Sequence, residues 1–345
     1  MKLKKINIEE RMKHYNVNGL SVTLIENCKI LTTNHYGLLE TKSDRKVNEQ
    51  SIFNACSISK LLTGMIVLKL IEDGLLILDK NVTDSLISWK IPENGFTENK
   101  KVTLRNLLSH QSGIKDPKGS FSELKSAQDI PSMVELLEGK TPYCKVPITL
   151  EYEPESEFQY SDAGFCIVQQ IIEDVTGKPF YLVANELIFK PLRMKNSYLN
   201  TNMLKVNKKN VSCGHNKNGE LVEAKYPIYP YPSASGLWTN SRDLAKLVIE
   251  LMNALKGESK LGISKNLAKE MISSQKDKNW VGLGVFLEAS NKELEILSMG
   301  WGVGFQSMMF AFPHLEKGAV IMTNADLGVH QLNGMIGEIY RSLIS

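Results

Sequence analysis

Ser57 and Lys60 stand three residues apart at the head of an apolar run, Leu61-Leu62-Thr63-Gly64-Met65-Ile66-Val67-Leu68. Residues three apart share a face of a helix, so this spacing brings an amine within reach of a hydroxyl. An amine that is neutral part of the time can take the serine proton and make the oxygen a nucleophile without a histidine. Spacing alone selects nothing, because Ser-x-x-Lys begins five times, at Ser43, Ser57, Ser112, Ser122 and Ser273. Context selects Ser57. It follows Ile52-Phe53-Asn54-Ala55-Cys56 and leads into a segment apolar nearly all round, which predicts a buried helix stopped at Gly74. The N-terminus of such a helix favours the negative charge of an oxyanion. The other four serines lie among charged or turn-forming neighbours and read as loop or surface helix.

The elements that must hold this pair follow from periodicity. Val17 to Glu26 and Ile30 to Leu39 read as two strands joined by a turn at Asn27-Cys28-Lys29. From about Leu75 to Met203 the spacing is helical, at Leu104–Leu108, Met133–Leu137, Gly164–Val175 and Phe180–Ile188, with Pro and Gly between. Strand patterns return at Val281–Leu287, Glu293–Ser298, Phe305–Phe312 and Gly318–Thr323, before a helix from Gln331 to Leu343. Strands at both ends with helices between predict an α/β (α+β) fold: an antiparallel sheet flanked by helices, formed by 1–80 and 225–345, with an inserted mostly helical domain, 81–224. Tyr226-Pro227-Ile228-Tyr229-Pro230-Tyr231-Pro232 reads as an extended connection, because its prolines forbid a helix.

At 345 residues the chain has room for two packed units. Its 41 basic and 38 acidic residues are interspersed and leave a formal charge of only +3, which excludes a field built for nucleic acid. No run of 18 apolar residues occurs and the basic N-terminus has no apolar core behind it, so neither a membrane span nor a secretion signal is read, and a cytoplasmic location is expected. Five scattered cysteines without Cys-x-x-Cys spacing suit free thiols in a reducing compartment. The six histidines never take His-Glu-x-x-His spacing, so no metal and no cofactor is expected. The partner left is a small-molecule or peptide substrate.

The stretch Phe53-Asn54-Ala55-Cys56-Ser57-Ile58-Ser59-Lys60 resembles the nucleophile motif of the class C β-lactamase-like serine hydrolases, a family that includes penicillin-binding proteins, D-amino-acid peptidases and esterases. Further stretches resemble its members in the same order: Leu75 to Val82, Val102 to Gly113, Phe158 to Gly177, Gly236 to Leu244 and Gly318 to Asn324. The resemblance covers nearly the whole chain and implies a β-lactamase/transpeptidase-like fold.

The family's Tyr-x-Asn motif falls on Tyr160-Ser161-Asp162. The resemblance implies that Tyr160 sits beside Ser57 and Lys60 and shares the proton transfers. Asp162 replaces the asparagine, and a carboxylate there raises the lysine pKa and shifts base work toward Tyr160. The third motif, Lys-Thr-Gly or His-x-Gly followed by Gly-Phe, aligns with Ser298-Met299-Gly300 and Gly304-Phe305, and its basic residue is missing. By resemblance, the backbone N–H groups of Ser57 and Trp301 form the oxyanion hole, Gly300 and Gly302 allow close backbone approach, and Asp162, Ser298 and Gly300 contact substrate. Both departures work against an anionic substrate. The expected activity is acyl transfer on a neutral or amine-bearing ester or amide; the alternatives are a penicillin-binding or sensor protein that acylates without efficient turnover, or a D-alanyl carboxypeptidase/β-lactamase. His110 reads as structural, its ring satisfying backbone groups. Cys56 reads as a buried small side chain, and Glu151, Glu153, Glu155 and Glu157 as a solvated loop.

Overall fold

The computed structural model describes residues 6–124, 130–199, 208–290 and 293–344; Met203, the expected end of the helical region, lies outside them. Gly19–Glu26 (β1) and Lys29–Gly37 (β2) form the expected hairpin. Its turn holds Asn27 at φ 52° and Cys28 at φ 50°, the two left-handed residues that a tight hairpin of matching twist requires. Phe53–Cys56 (β3) and Leu237–Thr239 (β4) make a separate two-stranded antiparallel pair. Phe286–Ser290 (β5), Glu293–Gly302 (β6), Phe305–Phe312 (β7) and Lys317–Thr323 (β8) complete a six-stranded antiparallel sheet of order β2-β1-β8-β7-β6-β5.

The helices are Ile8–His14 (α1), Ser59–Glu72 (α2), Gly95–Asn99 (α3), Leu104–Leu108 (α4), Met133–Leu137 (α5), Asp162–Thr176 (α6), Phe180–Ala184 (α7), Pro232–Ser235 (α8), Ser241–Lys256 (α9), Lys265–Met271 (α10) and Met335–Ile344 (α11). The sheet sorts them by strand parity. One face joins β3, α2, α6 and α9 in a large apolar core containing Ile296, Met309 and Met322. The other packs Leu20, Val22, Leu24, Phe310 and Ile321 against Ile8 and Met12 of α1 and Met335, Ile336 and Ile339 of α11. We call these the inner and outer faces.

Several expectations need correction. Helix α2 begins at Ser59, so Ser57 precedes it. The strand expected from Val281 starts only at Phe286. Gly284 turns the chain there at φ 75°, and only glycine fits, since a Cβ would lie 2.7 Å from the Lys60 carbonyl oxygen. Strand β6 runs past Ser298 to Gly302. The last helix starts at Met335, after a short 3-10 turn over Gln331–Asn333. Phe180–Ile188 divides into α7 and a π-helical turn, Asn185–Phe189. The acidic loop is not simply solvated: Glu155 pairs with Lys276 at 2.9 Å and accepts from Asn106 Nδ2 at 3.2 Å. Helix α9 passed unread in the sequence, although Asn240 caps it through Asp243 N and Gly257 ends it at φ 84°.

Among the described residues the outer face holds one buried acid. Glu295 of β6 is fully buried, accepts from Tyr340 Oη at 2.8 Å, and leaves Oε1 without a partner among the described residues. Burial, with Glu288 opposite it across the strands, pushes its carboxyl up to about 7. Among the described residues no helix is long and apolar enough to cross a membrane.

Candidate active site

Strand β3 ends in a sharp turn. Cys56 is buried and sits at φ 50°, a conformation that costs a non-glycine residue about 1–2 kcal/mol. The turn is tied on every side. Asn54 Oδ1 accepts from Cys56 N at 2.8 Å, Ser59 Oγ donates to the Cys56 carbonyl at 2.6 Å, and the same Oγ accepts from Leu237 N at 2.9 Å. Ser57 follows this turn, half-buried, and its carbonyl accepts from Lys60 N at 3.0 Å. The tight turn ahead of the helix thus places Ser57, and the first turn of α2 places Lys60.

Lys60 is 3% exposed. Its Nζ donates to Asp162 Oδ1 at 2.5 Å and to the Ala234 carbonyl at 3.0 Å. The ammonium also lies 4.7 Å from the ring centre of Tyr160 and 5.4 Å from that of Phe165. Burial works against the charged amine, but Asp162 and Tyr160 outweigh it and hold Lys60 above the ordinary lysine value. Tyr160 is 41% exposed as a residue, but its hydroxyl is set among protein atoms; that desolvation raises the phenol, while the proximity of Lys60 and of the Ser57 hydroxyl pulls it back. The structure therefore brings Ser57, Lys60, Tyr160 and Asp162 together, with the lysine charged at rest.

Helix α6 delivers Asp162 because its start is strongly capped. Asp116 accepts from Ser161 Oγ at 2.8 Å, Asp162 N at 2.9 Å and Ala163 N at 3.0 Å. A carboxylate on free N–H groups at a helix start is favourable. Burial and the charge of Asp162 nonetheless raise the pKa of Asp116. His110, at φ 58°, stacks on Tyr160 with ring centres 4.4 Å apart, and its Nδ1 accepts from Ser161 N at 3.1 Å. Burial and the charge of Lys60 keep that imidazole neutral. His110 serves a backbone group, as expected, but one 51 positions away rather than local, and it also supports the Tyr160 ring.

The end of β6 closes the site. Pairing with β5 stops at Phe286 opposite Leu297, so residues 298–302 are laddered to β7 alone. Ser298, Gly300 and Gly302 share the inner face. A Cβ on Gly300 would lie 2.1 Å from the Ala55 carbonyl oxygen; one on Gly302 would lie 2.4 Å from Tyr229 Oη and 2.8 Å from Cys56 Sγ. Only glycine lets the strand approach the serine turn so closely. Ser298 is 5% exposed and brings no cation. Trp301 presents its indole to solvent, where Nε1 donates to Asp326 Oδ1 at 2.8 Å.

Sequence reasoning missed Asp116, for which a lone aspartate in a loop gives no signal; of Tyr226, Tyr229 and Tyr231, which could line a pocket, it missed the tie that Tyr229 makes to β6. The Tyr229 hydroxyl accepts from Val303 N at 2.9 Å and so fastens the end of β6. The proline-rich segment is thus more than a connection. Its Pro227 carbonyl also accepts from Asn54 Nδ2 at 3.2 Å. Among the described residues no cluster of three His, Cys, Asp or Glu side chains could hold a metal ion.

Comparisons with known proteins agree with this architecture. The Beta-lactamase family profile matches residues 6–335. Protein flp of Staphylococcus aureus (strain NCTC 8325 / PS 47) is 25% identical over 323 residues, covering 92% of this chain and 61% of that protein. The chain thus spans about three fifths of the length of such curated relatives. The fold is shared with the D-amino acid amidase of Ochrobactrum anthropi SV3 in its complex with D-phenylalanine, at TM-score 0.76 and 19% identity, covering 98% of this chain and 96% of the amidase. It is shared also with the octameric penicillin-binding protein homologue of Pyrococcus abyssi, at TM-score 0.74 and 21% identity, covering 92% of this chain and 72% of the homologue.

Proposed function

The chain belongs to the beta-lactamase family, and from that membership we propose that it is a serine hydrolase working through an acyl-enzyme on an ester or amide that is neutral or bears an amine. The observation that carries this reading is the buried Lys60–Asp162 pair, 2.5 Å apart, lying against the Tyr160 ring beside the Ser57 turn. A buried ion pair is a poor device for stability alone; here it fixes a positive charge against the Tyr160 ring, which eases transfer of the Ser57 proton to the Tyr160 oxygen as the proton of Tyr160 goes on to the leaving group. Ser57 Oγ then attacks the acyl carbon. The N–H groups of Ser57 and Trp301 hold the oxyanion, Tyr160 protonates the leaving group, and water releases the acyl group.

Substrate charge follows from the same residues. Asp162 and Asp116 put two carboxylates near one ammonium, and Ser298 supplies only a hydroxyl where relatives that act on penicillins carry a cation. An anionic substrate meets no compensating charge at that end, and penicillin turnover is weak or absent. A substrate amine suits the acidic surroundings, and the shared fold with a D-amino acid amidase favours that class. The division into 1–80 with 225–345 and a helical insertion, 81–224, belongs to this reading. So does a reducing, cytoplasmic setting, supported by five free, buried cysteines.

The test is intact-mass analysis after treatment with a fluorophosphonate, a penicillin and a short-chain nitrophenyl ester, with Ser57→Ala as control. Labelling at Ser57 with ester turnover, both lost in the variant by a factor of about a thousand or more, is expected. A protein that stays unlabelled, or one that turns over penicillin efficiently, rejects the reading; a persistent penicillin adduct identifies a sensor instead.

A further inference from the structure

An aromatic row leads away from Tyr160 along the lip of the site. Tyr160 and Phe286 have ring centres 6.4 Å apart with planes within 23°, and Phe286 and Trp280 are 6.2 Å apart within 18°. Phe158 meets the edge of Trp280 at 4.3 Å. Tyr160 and Trp280 are each 41% exposed, and Phe286 and Phe158 are half-buried. Near-parallel rings at such separations are spread side by side rather than closely stacked, so the row offers aromatic surface to solvent beside the nucleophile. Packing alone does not ask for this arrangement, since exposed aromatic rings forgo the burial that stabilises a core.

The row is also held in place relative to Ser57. Leu287 N donates to the Trp280 carbonyl at 2.9 Å, closing the 280–287 turn. Gly284 N donates to the Leu108 carbonyl at 2.8 Å, and Gly284 lies too close to the Lys60 carbonyl to carry a side chain. Phe286 is the cross-strand partner of Leu297 and packs on the outer-face side, yet it stands where β5–β6 pairing stops, and its ring lies 6.4 Å from that of Tyr160. The row therefore starts from Tyr160 at the sheet edge, at the end of the site where β6 is left without β5. That end belongs to the leaving group, because Tyr160 is the residue that protonates it.

We propose that Tyr160, Phe286 and Trp280 form a leaving-group subsite for an aromatic substituent, so that the preferred substrates are esters or amides whose departing alcohol or amine carries an aryl ring. This rests on the hydrolase reading above. In the reaction the Ser57 Oγ–acyl bond forms as the bond to the aryl-bearing oxygen or nitrogen breaks, and that atom leaves with the proton delivered by Tyr160. The aryl ring stays on the row until water enters.

The experiment compares benzyl acetate with ethyl acetate, which share an acyl group and have leaving alcohols of similar basicity. Wild-type protein is expected to favour the benzyl ester by about tenfold in kcat/KM, the scale of one good aromatic contact plus buried area. The ratio should fall toward one in Trp280→Ala and in Phe286→Leu, the second chosen to keep the sheet edge packed. A ratio near one in wild type, or an unchanged ratio in both variants, overturns the subsite while leaving the hydrolase standing. A second readout separates the two ideas: benzyl alcohol should perturb indole fluorescence in Ser57→Ala and lose that effect when Trp280→Phe is added. If Ser57 never labels and no ester turns over, yet benzyl alcohol gives this signal, the subsite stands and the hydrolase reading falls. Absence of the signal counts against the subsite.

Discussion

Beneath the inner face of β6 the protein buries an ammonium, and on its outer face it buries a carboxyl. Lys60 and Glu295 are 3% and 0% exposed, so both meet the same desolvation penalty. Lys60 keeps its charge, because Asp162, the Ala234 carbonyl and two aromatic rings surround it. Glu295 has one Tyr340 hydroxyl and an empty oxygen, and gives up its charge near neutrality instead. A buried charge survives where partners converge from several elements. Those elements meet at the end of β6 only because Gly300 and Gly302 let β3 in.

Three measurements break or sharpen this contrast. The largest effect falls on the paired side. Lys60→Met leaves Asp162 half-buried without its cation and should cost about 3 kcal/mol, at the low end for a broken buried pair since Asp162 retains some solvent. Asp162→Asn in the same chain should return part of that loss. A raised lysine pKa contributes stability that is complete below the unfolded value and disappears only in strong alkali, so chemical denaturation at neutral pH reads the full effect. A variant as stable as the parent would show that the pair contributes nothing.

The junction itself comes next. Gly300→Ala places a methyl 2.1 Å from the Ala55 carbonyl and 2.4 Å from Ser307 Oγ, which donates to that carbonyl. The expected cost is about 2 kcal/mol in stability, with Ser57 labelling slowed more than stability predicts because the serine turn must move. Unchanged labelling would mean that β6 does not position the nucleophile.

The smallest effect belongs to the unpaired carboxyl, and its sign is opposite. The folded state binds a proton at Glu295 up to about pH 7, whereas the unfolded chain releases it near 4.5, so stability falls as pH rises between those values. Glu295→Gln removes that penalty and should raise stability by about 1–2 kcal/mol at pH 8, with no gain near pH 4. Melting curves at the two pH values check it; equal shifts would place the carboxyl's charge elsewhere in the balance.

Much of this was legible in the chain. An apolar run located Phe305–Phe312 and helical spacing located Leu104–Leu108 and Met133–Leu137 to the residue, because the strand is buried on both faces whereas each helix buries one, and the pattern records burial. The close approach at Gly300 was legible only through the resemblance of Ser298-Met299-Gly300 to a family motif, not through spacing. Asp116 and Tyr229 were not, since a hydrogen bond to a distant backbone N–H leaves no periodic trace. The turn at Gly284 hid within an apolar stretch that reads as strand.

Residue order alone determined the hairpin, the buried helix and the alcohol and amine three positions apart at its head, since those depend on neighbours within a few positions; the Tyr160 phenol was placed beside them by family resemblance. Only the tertiary structure decided the charge of the amine, the neutrality of Glu295 and the aromatic row beside Tyr160. These depend on groups 45 to 174 positions apart brought within ångströms of one another, and electrostatic energy is set by distance and burial rather than by order along the chain.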